Sequence, residues 1–266
     1  PRMIVNIAAY HFARIDDPER VVEWLRTLAE GQGLLGTVLV APEGVNVFLA
    51  GEADAIDAFL AAMRADARFA TLQEKRSLSH HVPFARLKVK RKAEIISFRQ
   101  PDSDPLHGRA PSVAPEVLAQ WLEAGHDDAG RPLVLLDTRN REEVAYGTFR
   151  DAMVLPIDNF TDLPAAVLER RDALQGARVV SFCTGGIRCE KAALWMHAQG
   201  FDTVVQLDGG ILGYFERVGG AGYEGGCFVF DERVALDPSL APLHDAPVPP
   251  PAPSAIPPRA GEAAHG

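Results

Sequence analysis

The sequence predicts two α/β domains in succession, followed by a proline-rich tail. The first part of the chain shows strand and helix patterns in the order βαββαβ, and the second part alternates short apolar strands with helices. A chain of 266 residues is long enough for two such domains. We therefore predict a first domain over residues 1–100, a linker over 101–112, a second domain over 113–220, an extension over 221–236 and a disordered tail over 237–266.

The elements of the first domain follow from the spacing of its apolar residues. Within 18–30 and 52–64, apolar residues recur at the intervals that place them on one face of a helix. Strand patterns occupy residues 3–10, 36–40, 45–50, 72–77 and 86–92, and residues 94–97 are expected to extend the last strand. This order is that of the split βαβ, or ferredoxin-like, fold.

The second domain is predicted from short apolar runs, of which Leu133–Asp137 (LVLLD) is the clearest. Such runs are typical of strands that are buried on both faces of a parallel sheet. Further strands are predicted at 152–155, 178–182 and 203–207, and helices at 115–124, 142–146, 163–175 and 189–199. The tail contains nine prolines and few large apolar side chains, so it cannot bury enough surface to offset the entropy of ordering.

Charge is distributed unevenly along the chain. The net charge is −9, but residues 1–110 carry 15 Lys and Arg against 14 Asp and Glu, and the remaining residues carry 12 against 22. One predicted strand carries a basic strip of Arg86, Lys88, Lys90, Arg91 and Lys92. Because side chains alternate along a strand, all of these except Arg91 are expected on one face. The strip either contacts nucleic-acid phosphates or protects a solvated edge strand, and both interpretations stay open.

Composition argues against several classes of protein. No apolar stretch reaches the roughly 20 residues needed to span a bilayer, and the first residues lack the layout of a secretory signal. Three cysteines do not make a disulfide framework, and the histidines and cysteines lack the spacing of metal ligands, so we predict no metal site. We expect a cytoplasmic protein with no membrane association and no stable protein partner.

The strongest chemical signal is a loop between a predicted buried strand and a helix. In such a loop, backbone N–H groups converge at the positive end of the helix dipole, and glycines permit the tight curve. These features, with a nearby arginine, favour a cysteine thiolate and would hold an anionic group such as a persulfide on its sulfur. We predict Cys183 as the nucleophile and Arg188 as its electrostatic support, in a loop completed by Thr184, Gly185, Gly186 and Ile187.

Three segments of the second domain resemble the rhodanese domain. They are the Cys183-x4-Arg188 loop, Asp137-Thr-Arg139 after a buried strand, and Leu207-Asp-Gly-Gly-Ile211 after another strand. In rhodanese-like proteins, four intervening residues are associated with sulfur on the cysteine, whereas the related phosphatases have five. The resemblance implies a rhodanese-like parallel sheet and disfavours a phosphatase.

A narrower resemblance is to the bacterial tRNA uridine hydroxylase family of rhodanese-domain proteins. It rests on CTGGIRCEKA at 183–192, EGVN at 43–46, DTRN at 137–140 and GCFVFD at 226–231. The resemblance implies an acylphosphatase-like first domain and oxygen-dependent hydroxylation of the wobble uridine to 5-hydroxyuridine. It also implies tRNA as the partner, bound through its anticodon region, and molecular oxygen as co-substrate. No cofactor is evident, and the sequence does not identify the electron donor.

Two other functions stay open at this point. One is plain sulfurtransferase (rhodanese) activity through a persulfide on Cys183, and the other is a binding module built on an inactive rhodanese fold. Asp137 and Arg139 either support the loop or form a structural ion pair. Cys189 either resolves an oxidised or persulfidated Cys183 or is a buried helix cysteine, and Cys227 is expected in the core.

Overall fold

The structure, a computed structural model, describes residues 2–243. The first domain contains, in chain order, β1 (Ile4–Phe12), α1 (Pro18–Gly31), β2 (Leu35–Ala41), β3 (Gly44–Gly51), α2 (Ala53–Arg64), β4 (Gln73–Ser79) and β5 (Leu87–Arg91). The second domain begins with β6 (Ser112–Val113), α3 (Pro115–Ala124), β7 (Leu133–Asp137), α4 (Arg141–Val144), β8 (Gly147–Phe149), β9 (Met153–Val154), α5 (Leu163–Leu168) and α6 (Arg171–Leu174). It continues with β10 (Arg178–Phe182), α7 (Ile187–Ala198), β11 (Val204–Leu207), α8 (Gly210–Arg217), β12 (Tyr223–Gly225), β13 (Cys227–Phe228) and β14 (Ala235–Leu236).

The strands of the first domain form one sheet in the order β4-β1-β3-β2-β5. Neighbours among β1 to β4 are antiparallel, and α1 and α2 pack against the sheet, so the predicted ferredoxin-like, acylphosphatase-like fold is confirmed. β5 is an additional edge strand parallel to β2. The predicted strand extension over 94–97 is wrong, because the Ile95 side chain is buried and its N–H donates to Glu43 instead of to a neighbouring strand.

The two helices of the first domain, α1 and α2, cover only one face of its sheet. Val5, Ile7 and Ala9 of β1 point into the core beneath α1 and α2, and the alternating residues lie on the opposite side. We call this second side the open face, and its central residues are Asn6, Ala8, Tyr10, Asn46, Phe48 and Lys75. The second domain lies across it.

The sheet of the second domain has the order β6-β11-β10-β7-β9, with every strand pair parallel, as predicted. α5 and α7 pack on one face, and α3 and α8 pack on the other. The single helix predicted over 163–175 is two short helices, because the backbone at Arg170 leaves the helical conformation. The helix predicted from residue 189 begins at Ile187, because Gly186 caps it with a φ of 102°.

The predicted tail begins with a short turn in the structure. Within residues 237–243, the Asp237 carboxylate accepts the Ser239 N–H at 2.8 Å, and the Asp237 carbonyl accepts the Leu240 N–H at 2.9 Å. The rest of the predicted tail, 244–266, lies outside the described residues. No helix within 2–243 combines the length and the apolar content that crossing a membrane requires.

A buried lysine joins the two domains. Lys191 of α7 is 1% exposed, and its Nζ lies 3.0 Å from Glu43 of the first domain and 2.7 Å from Glu94 of the connecting segment. It also donates to the Ile96 carbonyl at 2.8 Å. A buried cation needs such partners in place of water. We call this arrangement the lysine clamp, and it brings together the EGVN and CTGGIRCEKA segments on which the family resemblance rests.

Replacing Lys191 by Met should leave the Glu43 and Glu94 carboxylates without their cation. Removing one partner from a buried ion cluster costs about 3–5 kcal/mol, so we expect a clear fall in the thermal midpoint. The same change at Lys90, which is exposed on β5, should cost less than about 0.5 kcal/mol and serves as the control. Melting followed by circular dichroism compares them, and unaltered melting of Lys191→Met would contradict the clamp. Adding Glu43→Gln and Glu94→Gln should recover part of the loss.

Candidate active site at the domain interface

The cysteine loop joins the end of β10 to the start of α7. The Gly186 N–H donates to the Cys183 Sγ at 3.2 Å, so the loop turns tightly around the sulfur. Gly186 has a φ of 102°, which residues with side chains rarely adopt, and a Cβ there would lie 3.0 Å from the Tyr10 hydroxyl oxygen. The glycine therefore permits both the turn and the close approach of the first domain.

The first turn of α8 holds the cysteine loop by two backbone hydrogen bonds. The Ile211 N–H donates to the Cys183 carbonyl at 2.9 Å, and the Leu212 N–H donates to the Thr184 carbonyl at 3.0 Å. Gly210 has a φ of 62°, and a Cβ there would lie 2.6 Å from the Cys183 carbonyl oxygen. The Leu207-Asp-Gly-Gly-Ile211 motif therefore serves the cysteine loop, because only glycine allows the two backbones to come this close.

Arg188 is held in place by a carboxylate that sequence analysis missed. Its guanidinium donates to Glu143 of α4 at 2.6 and 2.8 Å and to the Thr184 hydroxyl at 3.3 Å. Burial disfavours the charged guanidinium, but the Glu143 carboxylate outweighs burial and raises the pKa of Arg188. Glu143 itself is 2% exposed. One glutamate in a short helix gives no spacing signal, so its part in the site becomes visible only in the fold.

The surroundings of Cys183 favour its thiolate. Burial alone would raise the pKa of the thiol. The neighbouring Cys189 thiol, the Arg188 charge and the backbone N–H groups of both residues act in the opposite direction and lower the pKa of Cys183 to about 6. The sulfur would therefore be mostly ionised at neutral pH, as a nucleophile or a sulfur carrier requires.

The other two cysteines are buried behind the loop. The Cys189 Sγ lies 3.5 Å from the Thr138 hydroxyl, and burial together with the neighbouring Cys183 raises the pKa of its thiol. Its role as a resolving thiol stays a prediction. Cys227 belongs to the core, as expected, and burial raises its pKa to about 12. Within the described residues, no three His, Cys, Asp or Glu side chains are grouped to hold a metal ion.

Asp137 and Arg139 form a fully buried ion pair beside the loop. Arg139 donates to the Asp137 carboxylate at 3.0 and 2.8 Å, and also to the Gly147 carbonyl at 2.7 Å. The Thr148 hydroxyl donates to Asp137 at 2.7 Å. These contacts tie the end of β7 to β8 and favour the interpretation as a structural ion pair. The Arg139 charge also acts to lower the pKa of Arg188, against the stronger opposite effect of Glu143.

A cleft of about 1210 Å³ separates the cysteine loop from the open face of the first domain. Thr184, Gly185, Ile187 and Arg188 line one wall, and the open face forms the other. Cys183 itself has no exposed surface. A substrate in the cleft would therefore reach the sulfur only after the groups that cover it move.

Tyr10 connects the open face to the helix that follows the loop. Its hydroxyl donates to Glu190 of α7 at 2.9 Å, and burial and the Glu190 charge raise the pKa of Tyr10, so the hydroxyl keeps its proton. Arg109 donates to Glu190 at 3.0 Å and to Asp208 at 3.0 Å. Sequence analysis missed Tyr10, Glu190 and Arg109, because their contacts join segments that lie far apart in the chain.

The predicted basic strip divides between the two sides of the sheet. Lys88 and Lys90 pair in register with Thr37 and Leu39 and project from the side of the open face, and Lys92 lines the cleft. Arg86 precedes the strand and is exposed. Arg91 departs from this set, because it points toward α1 and pairs with Glu19 at 3.1 Å. The strip lies on an edge strand. Protection of that sheet edge from pairing with other chains therefore stays open as an interpretation, beside the binding of phosphates.

Unpaired cations collect around the cleft. Lys75, Lys92 and Arg99 line it, and none forms an ion pair with a carboxylate of residues 2–243. Lys75 extends from β4 across the cleft, since a Cβ on Gly209 would lie 3.0 Å from its Nζ. The wall of the first domain therefore presents positive charge beside the cysteine loop.

Two family models match the chain. The UPF0176 acylphosphatase-like domain matches residues 4–95, and the rhodanese-like domain matches residues 115–217. A solved rhodanese-like domain from an Anabaena protein is 23% identical, and the match covers 43% of this chain and 79% of that chain with a TM-score of 0.35.

Curated relatives match almost the whole length of the chain. A Xanthomonas euvesicatoria protein named tRNA uridine(34) hydroxylase is 66% identical over 244 residues, which cover 92% of this chain and 98% of the relative. A Xylella fastidiosa protein of the same name is 60% identical over 243 residues, which cover 91% of this chain and 95% of the relative.

The ionisation of Cys183 can be measured from the ultraviolet absorbance of its thiolate, taken as the difference between the unmodified protein and Cys183→Ser. We expect a midpoint near pH 6. Arg188→Lys keeps the charge but loses the planar fork that grips Glu143, so the midpoint should rise slightly, and Arg188→Gln should raise it further. Arg150→Gln, at an exposed surface pair, is the control and should leave it unaltered. Equal midpoints in all four proteins would mean that Arg188 serves packing alone.

Proposed function

Because the chain belongs to the tRNA uridine(34) hydroxylase family, we propose that it hydroxylates ring carbon 5 of the wobble uridine of tRNA in the cleft between its two domains. The observation that supports this site best is the position of the cysteine loop. A loop that favours a thiolate faces a wall with unpaired cations, so a reactive sulfur and a surface suited to phosphates share one cleft.

We assign Cys183 the role of nucleophile. A thiolate can add to carbon 6 of the uracil ring, and the displaced electron pair then moves toward carbon 5 and the O4 carbonyl. Carbon 5 becomes electron-rich and bonds to one atom of molecular oxygen, while the O–O bond breaks and the other atom leaves as water with two electrons and two protons from the reductant. Loss of the carbon 5 proton and departure of the Cys183 thiolate then restore the ring. The N–H groups of the loop and Arg188 stabilise the thiolate before addition and after departure. Molecular oxygen and an external reductant are the co-substrates of this scheme.

The first domain supplies the surface that grips the RNA in this proposal. Lys75, Lys88, Lys90, Lys92 and Arg99 lie on or beside the open face, and no carboxylate of residues 2–243 pairs with them. Phosphates of the anticodon region would supply the missing opposite charge. Residues 111–266 carry 12 basic against 22 acidic residues, so RNA is attracted to the first domain and not to the second.

Sulfur transfer through a Cys183 persulfide is the alternative. It assigns no function to the unpaired cations on and beside the open face. We therefore place tRNA hydroxylation first, with a cytoplasmic location to match its substrate.

Mass spectrometry of tRNA nucleosides from cells with and without the gene separates the two functions. Loss of 5-hydroxyuridine in the deletion strain supports the hydroxylase, and an unaltered level would contradict it.

Cys183→Ser should abolish hydroxylation and hardly alter the melting temperature. The serine hydroxyl has nearly the shape of the thiol, but the loop cannot ionise it at neutral pH. Cys227→Ala removes a buried core thiol of the same domain and should keep its activity, so it is the matched control. Nucleoside mass spectrometry after incubation with tRNA is the measurement. Normal hydroxylation by folded Cys183→Ser would rule out the nucleophile assignment.

Replacing Lys88, Lys90 and Lys92 together by Gln should weaken tRNA binding and flatten its dependence on salt. Each lost phosphate contact removes about one released counterion, so the slope of log affinity against log salt should fall by up to about three. Arg14, Arg20 and Arg150 lie outside the cleft lining, and their joint change to Gln is the control. If the strip only protects a sheet edge, the slope will not change and solubility will fall instead.

A further inference from the structure

An exposed aromatic ring stands at the mouth of the cysteine loop. Phe230 is 56% exposed, more than any other large hydrophobic residue within 2–243. It lines the cleft, and its ring centroid lies 5.8 Å from the guanidinium carbon of Arg188. Arg188 in turn donates to the loop hydroxyl of Thr184. The ring therefore stands directly over the group that supports Cys183.

The turn that carries Phe230 is fixed by contacts within the turn and with the first domain. Arg233 donates to Asp231 within the turn and to Ser77 of β4 at 2.5 Å, and the Glu232 N–H donates to the Pro83 carbonyl at 3.0 Å. Val234 has a φ of 67°, which is strained for a β-branched residue. The surrounding contacts thus hold a strained turn, and the side chain that this turn presents to the cleft is an aromatic ring.

The ring is also supported from behind. Phe228 meets it edge to face with centroids 5.2 Å apart, and Tyr146 packs on Phe228 at 5.5 Å. Arg188 makes a cation–π contact with the Phe230 ring. These neighbours restrict the orientation of Phe230 but leave more than half of its surface exposed, and the residue lines the cleft.

We propose that Phe230 is a stacking platform for an unpaired nucleobase of the RNA loop that enters the cleft. This inference rests on the proposed function, which brings a single-stranded loop to this site. Flat aromatic surfaces bind unpaired bases by stacking, and the cations that line the cleft bind the accompanying phosphates. The stacked base fixes the path of the loop, so that the reacting uridine is directed toward Cys183.

The test is the binding of a short RNA hairpin that reproduces a tRNA anticodon stem and loop, measured by fluorescence anisotropy. Phe230→Ala should weaken binding by about 5- to 150-fold, the range that corresponds to the loss of one stacked base. Phe230→Leu, which is apolar but not aromatic, should lose most of the same affinity, and Phe230→Trp should keep it. The salt dependence should stay that of the unmodified protein, because no phosphate contact is lost.

Two controls make the result specific to stacking. Leu168→Ala changes an exposed apolar residue that does not line the cleft and should bind the hairpin normally. A fully paired RNA duplex offers no unpaired base, so its binding should not depend on residue 230. An equal loss of affinity for hairpin and duplex, or normal hairpin binding by Phe230→Ala, would overturn the proposal.

The Phe230→Trp protein gives a second readout. Its added indole should emit like an exposed ring in the free protein and should be quenched by the hairpin. The contrary result is emission typical of a buried indole that the hairpin does not alter. It would mean that another part of the chain covers residue 230, and it would overturn the proposal.

Parallel assays of uridine hydroxylation distinguish this inference from the proposed function. If the unmodified protein hydroxylates the wobble uridine but hairpin binding does not depend on Phe230, the platform fails and the function stands. If binding depends on Phe230 but no hydroxylation occurs, the platform stands and the function fails.

Discussion

Two consecutive buried charges on α7 determine how the two halves of this molecule fit together. Glu190 accepts hydrogen bonds from Tyr10 and Arg109, and Lys191 is held by Glu43 and Glu94. Neither charge is stable inside the protein without these partners, so the first domain must meet α7 in one arrangement. Because Arg188 and Cys189 precede them on the same helix, that arrangement also sets where the cysteine loop lies against the open face. The contacts that hold the two domains together therefore also position the Cys183 sulfur.

The pairing of Arg188 with Glu143 changes how the loop stabilises a thiolate. The arginine brings a positive charge, but a buried carboxylate at 2.6 Å offsets much of its field. The backbone N–H groups of the loop bring no opposing charge, and the Gly186 N–H already points at the sulfur. Arg188 therefore acts as much by shaping the loop, through Thr184 and Glu143, as by its charge. The planar fork of an arginine suits that purpose better than a lysine.

Sequence analysis predicted both folds and the cysteine loop, because these depend on local patterns. Apolar periodicity marks each strand and helix, and the six loop residues are consecutive. The errors have two causes. Tertiary contacts override local preference at residues 94–97, which are drawn to Glu43 and Lys191. A local cap at Gly186, which the helical pattern does not reveal, starts α7 before Arg188 instead of after it. The missed site residues have a similar cause. Tyr10 and Glu190 are separated by 180 positions, and neither stands in a context that predicts a contact with the other.

The lysine clamp also limits how these two domains can evolve. In the two-domain chain, replacing Lys191 alone leaves Glu43 and Glu94 without their cation, and replacing either glutamate leaves the buried lysine with one carboxylate fewer. A single substitution at any of these three positions therefore costs stability, whereas an apolar set that replaces all three removes the buried charges together. Glu43 places the same limit on the acylphosphatase-like half, because its carboxylate pairs with Lys191. Substitutions at this boundary are therefore tolerated best when they change both halves in matched sets.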